Sequence, residues 1–192
     1  MDFDQLEEIA AAGAKSLLLC NPHNPVGRIL TRKELETIAD TCLRNNLMIC
    51  SDEIHAEIIL DESKSHIPIA TLCPEVADNT ITLLSPSKAF NLPGIGGFAF
   101  AVIPNSELRE DFKAKIHGIA TEPGSLAYAA GLAADRDCDG WLAQQLDYLR
   151  ENRDLLEAKV AAAAGLSMTH VEATFLAWID VSELALESPF EH

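Results

Sequence analysis

The sequence predicts an α/β fold built on a mixed, mostly parallel sheet. Three apolar runs, Leu17–Cys20, Leu47–Cys50 and Ile81–Leu84, are too short for buried helices, and each halts at polar residues. Segments of helical character stand between them. A fourth run, Phe98–Ile103, follows the third across a glycine-rich turn (Gly94, Gly96, Gly97), so closely that no crossover helix fits and the strand must be antiparallel. In a sheet of this kind the ligand crevice lies outside the carboxyl ends of the parallel strands.

The elements follow in order. Asp2 with Gln5 reads as a helix start, and Leu6, Ile9 and Ala10 then share one helical face until Gly13. The first strand ends at Asn21-Pro22, which opens an irregular loop reaching Leu30. Thr31 with Glu34 forms a capping box, and Leu35, Ile38, Ala39, Cys42 and Leu43 recur at helical spacing before Asn45-Asn46 stops the segment. Beyond Pro104 the pattern is helical over 106–117, 125–136 and 140–164. The last of these carries Trp141, Leu142, Leu146, Leu149, Leu156 and Val160 on one side, with Arg150, Glu151, Arg153 and Asp154 mostly elsewhere. After Gly165 the chain reads as extended, with a strand over 174–179 opening a second lobe. Trp141 and Trp178 read as core or interface side chains.

The 192 residues are 48% apolar and 23% charged, enough material for one compact domain or two small ones. Thirty acidic against fourteen basic residues give a formal charge of -16, which disfavours nucleic acid and anionic membrane as partners. No run of about 18 apolar residues suggests a membrane span, and the acidic start Met1-Asp2-Phe3-Asp4 does not look like a secretory signal. Five cysteines without a C-x-x-C pair, mostly inside apolar runs, point to buried thiols in the cytoplasm. The reading is of a soluble protein without a resident metal.

Three strand-end clusters carry chemistry: Asn21-Pro22-His23-Asn24-Pro25-Val26-Gly27, Ser51-Asp52-Glu53-Ile54-His55 and Ser85-Pro86-Ser87-Lys88. On successive strands they set an amide, a carboxylate and an amine on one rim. That set suits an aromatic aldehyde cofactor: the amine forms a Schiff base, the carboxylate keeps a ring nitrogen protonated, and the amide bonds a ring oxygen.

The three clusters resemble, in order, the N-P-x-N-P-x-G, S-D-E-I and S-x-S-K signatures of fold-type I pyridoxal-phosphate enzymes, the aspartate aminotransferase superfamily. The resemblance reaches Glu172–Trp178. It implies a partial large domain over 1–139, with helices on both faces of a contiguous four-stranded sheet, then a linker helix and the start of a small C-terminal α+β domain over 140–192. It implies Lys88 as the Schiff-base lysine and proton carrier, Asp52 at the pyridinium nitrogen, Asn24 at the phenolic oxygen, and Ser85 and Ser87 at the phosphate of pyridoxal 5'-phosphate. His55 stands where aminotransferases usually have a tyrosine, and Gly96 where they usually have an arginine. Both features are similar to the MalY- and PatB-like cystathionine β-lyase branch of C–S lyases. The implied function is β-elimination from cystathionine or L-cysteine S-conjugates, a small-molecule amino-acid substrate, with class I/II transamination as the alternative. Family members run to about twice this length, so the chain is expected to be a central portion. It would be inactive alone and self-associating through unpaired sheet edges, within a parent that is a homodimer.

Other readings carry less weight. Asp52-Glu53-Ile54-His55 resembles a DExH helicase segment, but no G-x-x-x-x-G-K-[ST] loop accompanies it. His55-Ala56-Glu57 mimics the H-x-E of zinc deaminases without its P-C-x-x-C partner. A non-catalytic interaction protein of the same fold is a third alternative, against which the retained Lys88 argues. His23, His66, His117 and His170 read as structural or exposed.

Overall fold

The computed structural model describes residues 1–95 and 98–184. The predicted roles of Gly96 and Gly97, and the end of the 140–192 segment, lie outside the described residues.

Strands β1 (Ser16–Cys20), β2 (Met48–Asp52), β3 (Thr80–Leu84) and β4 (Phe100–Val102) form one sheet in sequential order. β1, β2 and β3 run parallel, and β4 pairs antiparallel to β3, as the short connection requires. The register aligns Cys20, Asp52 and Leu83 across the sheet, so the three parallel strands end within one residue of one another and their following loops share one rim.

Helix α1 (Phe3–Ala11) starts where Asp2 accepts from the Gln5 amide at 3.0 Å, and α2 (Arg32–Arg44) opens on the Thr31–Glu34 capping box. With the one-turn helix α3 (Pro74–Asp78), they cover the sheet face that carries Leu19 and Ile49. Leu35, Ile38 and Cys42 are fully buried there. Burial of each large aliphatic side chain contributes about 1.5–3 kcal/mol. Ile9, expected on the buried face of α1, is instead 54% exposed, because Leu6 and Ala10 already fill the contact with α2. Leu18 on β1 points away from this core and is exposed.

Helices α4 (Ser106–Ile116), α5 (Ser125–Asp137) and α6 (Asp139–Ala161) follow. In α6, Leu142, Leu146 and Leu149 pack into a second core with Ile58, Leu60, Ala89, Phe90, Ala134 and Val171. Trp141 lies half-exposed, its ring stacked on Phe90 at 6.2 Å between centroids. One reading of α6 needs correction, that of its arginines. Arg150 and Arg153 belong to the packed side, where their guanidinium groups donate to the carbonyls of Ile59 and Leu60. A cation on a long stem can sit on an apolar stripe when carbonyls at its tip replace water.

The strand predicted over 174–179 is also corrected. Among the described residues of this stretch, β5 (Ser167–Met168) and β6 (Ile179–Asp180) pair as a two-residue ladder, and Ala173 makes an isolated bridge with Ile59. The preceding main chain is committed elsewhere: Glu172 and Ala173 donate to the Gly27 carbonyl, Thr174 donates to Ile58, and Thr174 takes φ +70°. No helix among the described residues is long and apolar enough to cross a membrane.

Candidate functional site

The rim residues are held by main-chain bonds from adjacent loops. Asn21 N–H donates to the Asp52 carbonyl at 3.0 Å and Glu53 N–H to the Leu83 carbonyl at 3.0 Å, extending the ladder one step past each strand. Asp52 Oδ1 accepts from the Ile54 amide at 3.2 Å, which turns the chain so that His55 folds back into the protein. His55 is 2% exposed. The loop after β1 closes through His23 and Arg28, paired as an isolated antiparallel bridge, and the Asn21-Pro22 and Asn24-Pro25 bonds are cis.

These loops bring four of the expected residues together. Asn24 Nδ2 lies 3.2 Å from His55 Nε2. Burial first, and then the Lys88 ammonium, hold the His55 imidazole below its ordinary pKa, while the Asp52 carboxylate acts in the opposite direction. Lys88 and Asp52 thus act on the same ring in opposite senses. Lys88 sits in a turn anchored by Phe90 N–H on Pro86 O and Leu92 N–H on Ser87 O, both 3.0 Å, with Ala89 and Phe90 buried beneath it. The Lys88 side chain is half-buried and takes no part in the bonds that fix its turn.

Ser85 and Ser87 form a separate hydroxyl pair in the same turn. Ser85 Oγ lies 2.5 Å from the Phe98 carbonyl and 2.8 Å from Ser87 Oγ, and it accepts from the Ser87 amide at 3.1 Å. A hydroxyl has one proton, and the carbonyl can only accept it, so Ser85 is committed to Phe98. The Ser85–Ser87 contact is then made by the Ser87 hydroxyl, which donates to Ser85 Oγ.

Two features escaped the sequence reading. Phe175 approaches His55 edge-on, with ring centroids 5.4 Å apart, a contact between segments far apart in the chain that no spacing signals. His55 Nδ1 is the buried side-chain nitrogen or oxygen left without a partner among the described residues. A cavity of about 630 Å³ lies beside the rim, lined by Leu84, Phe90, Phe98, Phe100, Tyr128 and Leu132 among others. Asn24, Asp52, His55 and Lys88 do not line it. No cluster of three or more metal-ligating side chains occurs among the described residues.

The sequence profile of the family described as "Aminotransferase class I and II" matches residues 1–189. The cystathionine beta-lyase PatB of Bacillus subtilis is 32% identical over 97% of this chain and 48% of its own length. In three dimensions the chain is similar to OvoB, at 47% identity and TM-score 0.94 over 98% of this chain and 50% of that one. It is also similar to cystalysin from Treponema denticola, whose structure contains a pyridoxal 5'-phosphate cofactor, at 32% identity and TM-score 0.91 over 97% and 48%. The chain thus spans about half the length of these relatives.

Proposed function

The chain belongs to the aminotransferase class I and II family, and from that premise we propose that it forms the central part of a pyridoxal-phosphate-dependent carbon–sulfur β-lyase acting on cystathionine or L-cysteine S-conjugates. One observation carries the reading: Asn24 meets the buried His55 at 3.2 Å on the rim where the strand register sets Asp52 level with Cys20 and Leu83, with Lys88 in the turn that follows β3. An amine, a carboxylate and an amide on one rim are the donor set that this cofactor needs. His55 Nδ1, buried and without a hydrogen-bond partner among the described residues, supports a role for that ring beyond packing. When bound, pyridoxal phosphate supplies an aldehyde that condenses with an amine and a ring that, protonated at nitrogen, draws electrons from the α-carbon of an amino acid.

The residues then divide the work. Lys88 Nζ would hold the cofactor covalently, and its free amine would take up the α-proton of the substrate and hold it. Asp52 keeps the ring nitrogen protonated through its carboxylate charge. Asn24 and His55 would hold the ring oxygen, and Ser85 and Ser87 the phosphate. The overall reaction consumes water and releases thiol, pyruvate and ammonia. His55 in place of tyrosine and the likeness to PatB favour elimination over amino-group transfer. The division into a 1–139 cofactor domain and a 140–192 linker and small-domain start follows the same reading, as does a homodimeric parent. The five unpaired cysteines support a reducing compartment, the cytoplasm.

The test is an absorbance scan of the gene's complete product with pyridoxal phosphate, followed by cystathionine. A Schiff-base band that Lys88→Ala abolishes, together with pyruvate release, is the expected result. Amino-group transfer without pyruvate would overturn the lyase reading, and no Lys88-dependent band would leave an interaction protein of the same fold. The 192-residue chain alone is expected to show no turnover.

A further inference from the structure

Behind the rim runs a line of buried polar side chains that the proposed chemistry does not use. Asn21 and Glu53 are each 1% exposed, and the His66 side chain is 8% exposed. Asn21 Oδ1 accepts from the Leu30 amide at 2.9 Å, and Asn21 Nδ2 faces His66 Nδ1 at 3.5 Å. His66 Nε2 lies 2.7 Å from Glu53 Oε2, and Glu53 Oε1 accepts from the Ser51 hydroxyl at 2.8 Å and from the Ile69 amide at 3.4 Å.

The chemistry of these groups fixes the direction of every bond. A main-chain N–H can only donate, so the Asn21 atom at Leu30 is the oxygen and the atom at His66 is the NH2 group. His66 Nδ1 must then present its lone pair, and the ring proton sits on Nε2, aimed at the Glu53 carboxylate. Turning any one member around sets two donors against each other inside the protein, where an unmatched donor is expensive.

The two ends of the line are the two sides of the rim. Asn21 begins the loop that carries Asn24, and its own N–H is bonded to the Asp52 carbonyl. Glu53 directly follows Asp52. Resting on the function proposed above, we propose that Asn21, His66 and Glu53 are positioning residues, a one-directional hydrogen-bond line that sets the spacing between Asn24 and Asp52, and hence between the groups meeting the cofactor's ring oxygen and its ring nitrogen.

Glu53→Gln tests this in the complete gene product with almost no change of volume. The new amide turns its NH2 toward His66 if its oxygen stays on Ser51 and Ile69, so the ring proton must move to Nδ1, where it meets the Asn21 NH2. Adding Asn21→Asp removes that conflict, because a carboxylate accepts from both Leu30 and His66, and the net charge returns to its starting value. Two readouts serve: the tautomer of His66 from nitrogen-15 spectra of the cofactor-free protein, and the dissociation constant and visible band of bound pyridoxal phosphate. We expect the Nε2–H tautomer in the wild type and a loss of cofactor affinity of about tenfold or more in Glu53→Gln, the consequence of one unmatched buried donor. The double variant should recover most of that loss with the Nδ1–H tautomer.

A purely structural role would lower stability while leaving affinity and band unchanged, and that result overturns the proposal. So does an Nδ1–H tautomer in the wild type. If Glu53→Gln fails to fold, the wild-type ring spectrum and His66→Gln decide, since glutamine can keep a donor on Glu53 and should retain more affinity than His66→Ala; equal losses refute the line. A wild-type protein with no Lys88-dependent band refutes the proposed function, while the tautomer, read without cofactor, separately confirms or refutes the bonding of the line.

Discussion

Gly27→Ala is the substitution for which the structure gives the fullest accounting. Gly27 has φ +76°, a left-handed conformation that costs an L-residue about 1–2 kcal/mol. An added Cβ would also stand 2.8 Å from Val171 Cγ1 and 3.1 Å from the Ala173 carbonyl oxygen. The first neighbour is a β-branched side chain with few rotamers, and the second is main chain, so neither yields freely; overpacking of this sort costs about 1–3 kcal/mol. Relief by backbone shift would stretch the bonds that the Gly27 carbonyl accepts from Glu172 at 2.8 Å and Ala173 at 2.9 Å. We expect a loss of about 3 kcal/mol or more in urea unfolding of the complete gene product. Gly13→Ala is the control: Gly13 has φ +97° but nothing within 4 Å of the added carbon, so conformational strain acts alone and the loss should be about 1–2 kcal/mol. Equal losses at the two glycines would refute the contact argument. Because Gly27 closes the loop that holds Asn24, the same substitution should weaken capture of pyridoxal phosphate, whereas Gly13→Ala should not.

Replacing Lys88 by alanine should raise the His55 pKa, and Asp52→Asn should lower it, since the two charges act on the ring in opposite senses; proton NMR of the ring during titration reads both. His55 binds its proton less readily folded than unfolded, so its contribution favours folding at pH above the unfolded value of about 6.5 and is lost as pH falls from there toward the depressed folded value. His55→Gln should flatten that part of the stability-versus-pH curve. Thr31→Ala removes one half of the capping box on α2 and should cost about 1 kcal/mol in urea unfolding. Cys42, fully buried with its thiol pushed up to about 11, should resist iodoacetamide at pH 8 in the folded protein and react once urea unfolds it, as mass spectrometry would show.

What was legible in the sequence was whatever local rules decide. Apolar runs too short for helices became β1, β2 and β3, and the short link to Phe100–Val102 forced an antiparallel fourth strand. The capping box at Thr31 placed α2 correctly to within a residue of its start. Local rules failed where distant main chain competed. The 174–178 segment has the composition of a strand, yet the residues leading into it are already bonded to Gly27 and Ile58, so pairing is left only to Ile179 and Asp180. Arg150 and Arg153 read as solvent-facing because charge on a helix usually is, and only the free carbonyls of Ile59 and Leu60 make their buried side favourable.

The candidate site divides in the same way. Residue types at the ends of successive strands were readable because a parallel ladder in register brings strand ends to one level, which is why main-chain bonds can link Asn21 to Asp52 and Glu53 to Leu83 across the rim. The surroundings were not readable, since their contacts come from segments with no fixed spacing: Phe175 against His55, the Phe98 carbonyl beneath Ser85, and His66 bridging Asn21 to Glu53. Motif residues state which groups are present, whereas these second partners decide how far each group can move. Among the described residues the Asn24 side chain makes one hydrogen bond, to His55, and stands exposed, so its placement depends on a loop tied down at Asn21 and Gly27. The physical weight of the N-P-x-N-P-x-G segment thus falls on its first asparagine and its glycine as much as on the asparagine between them.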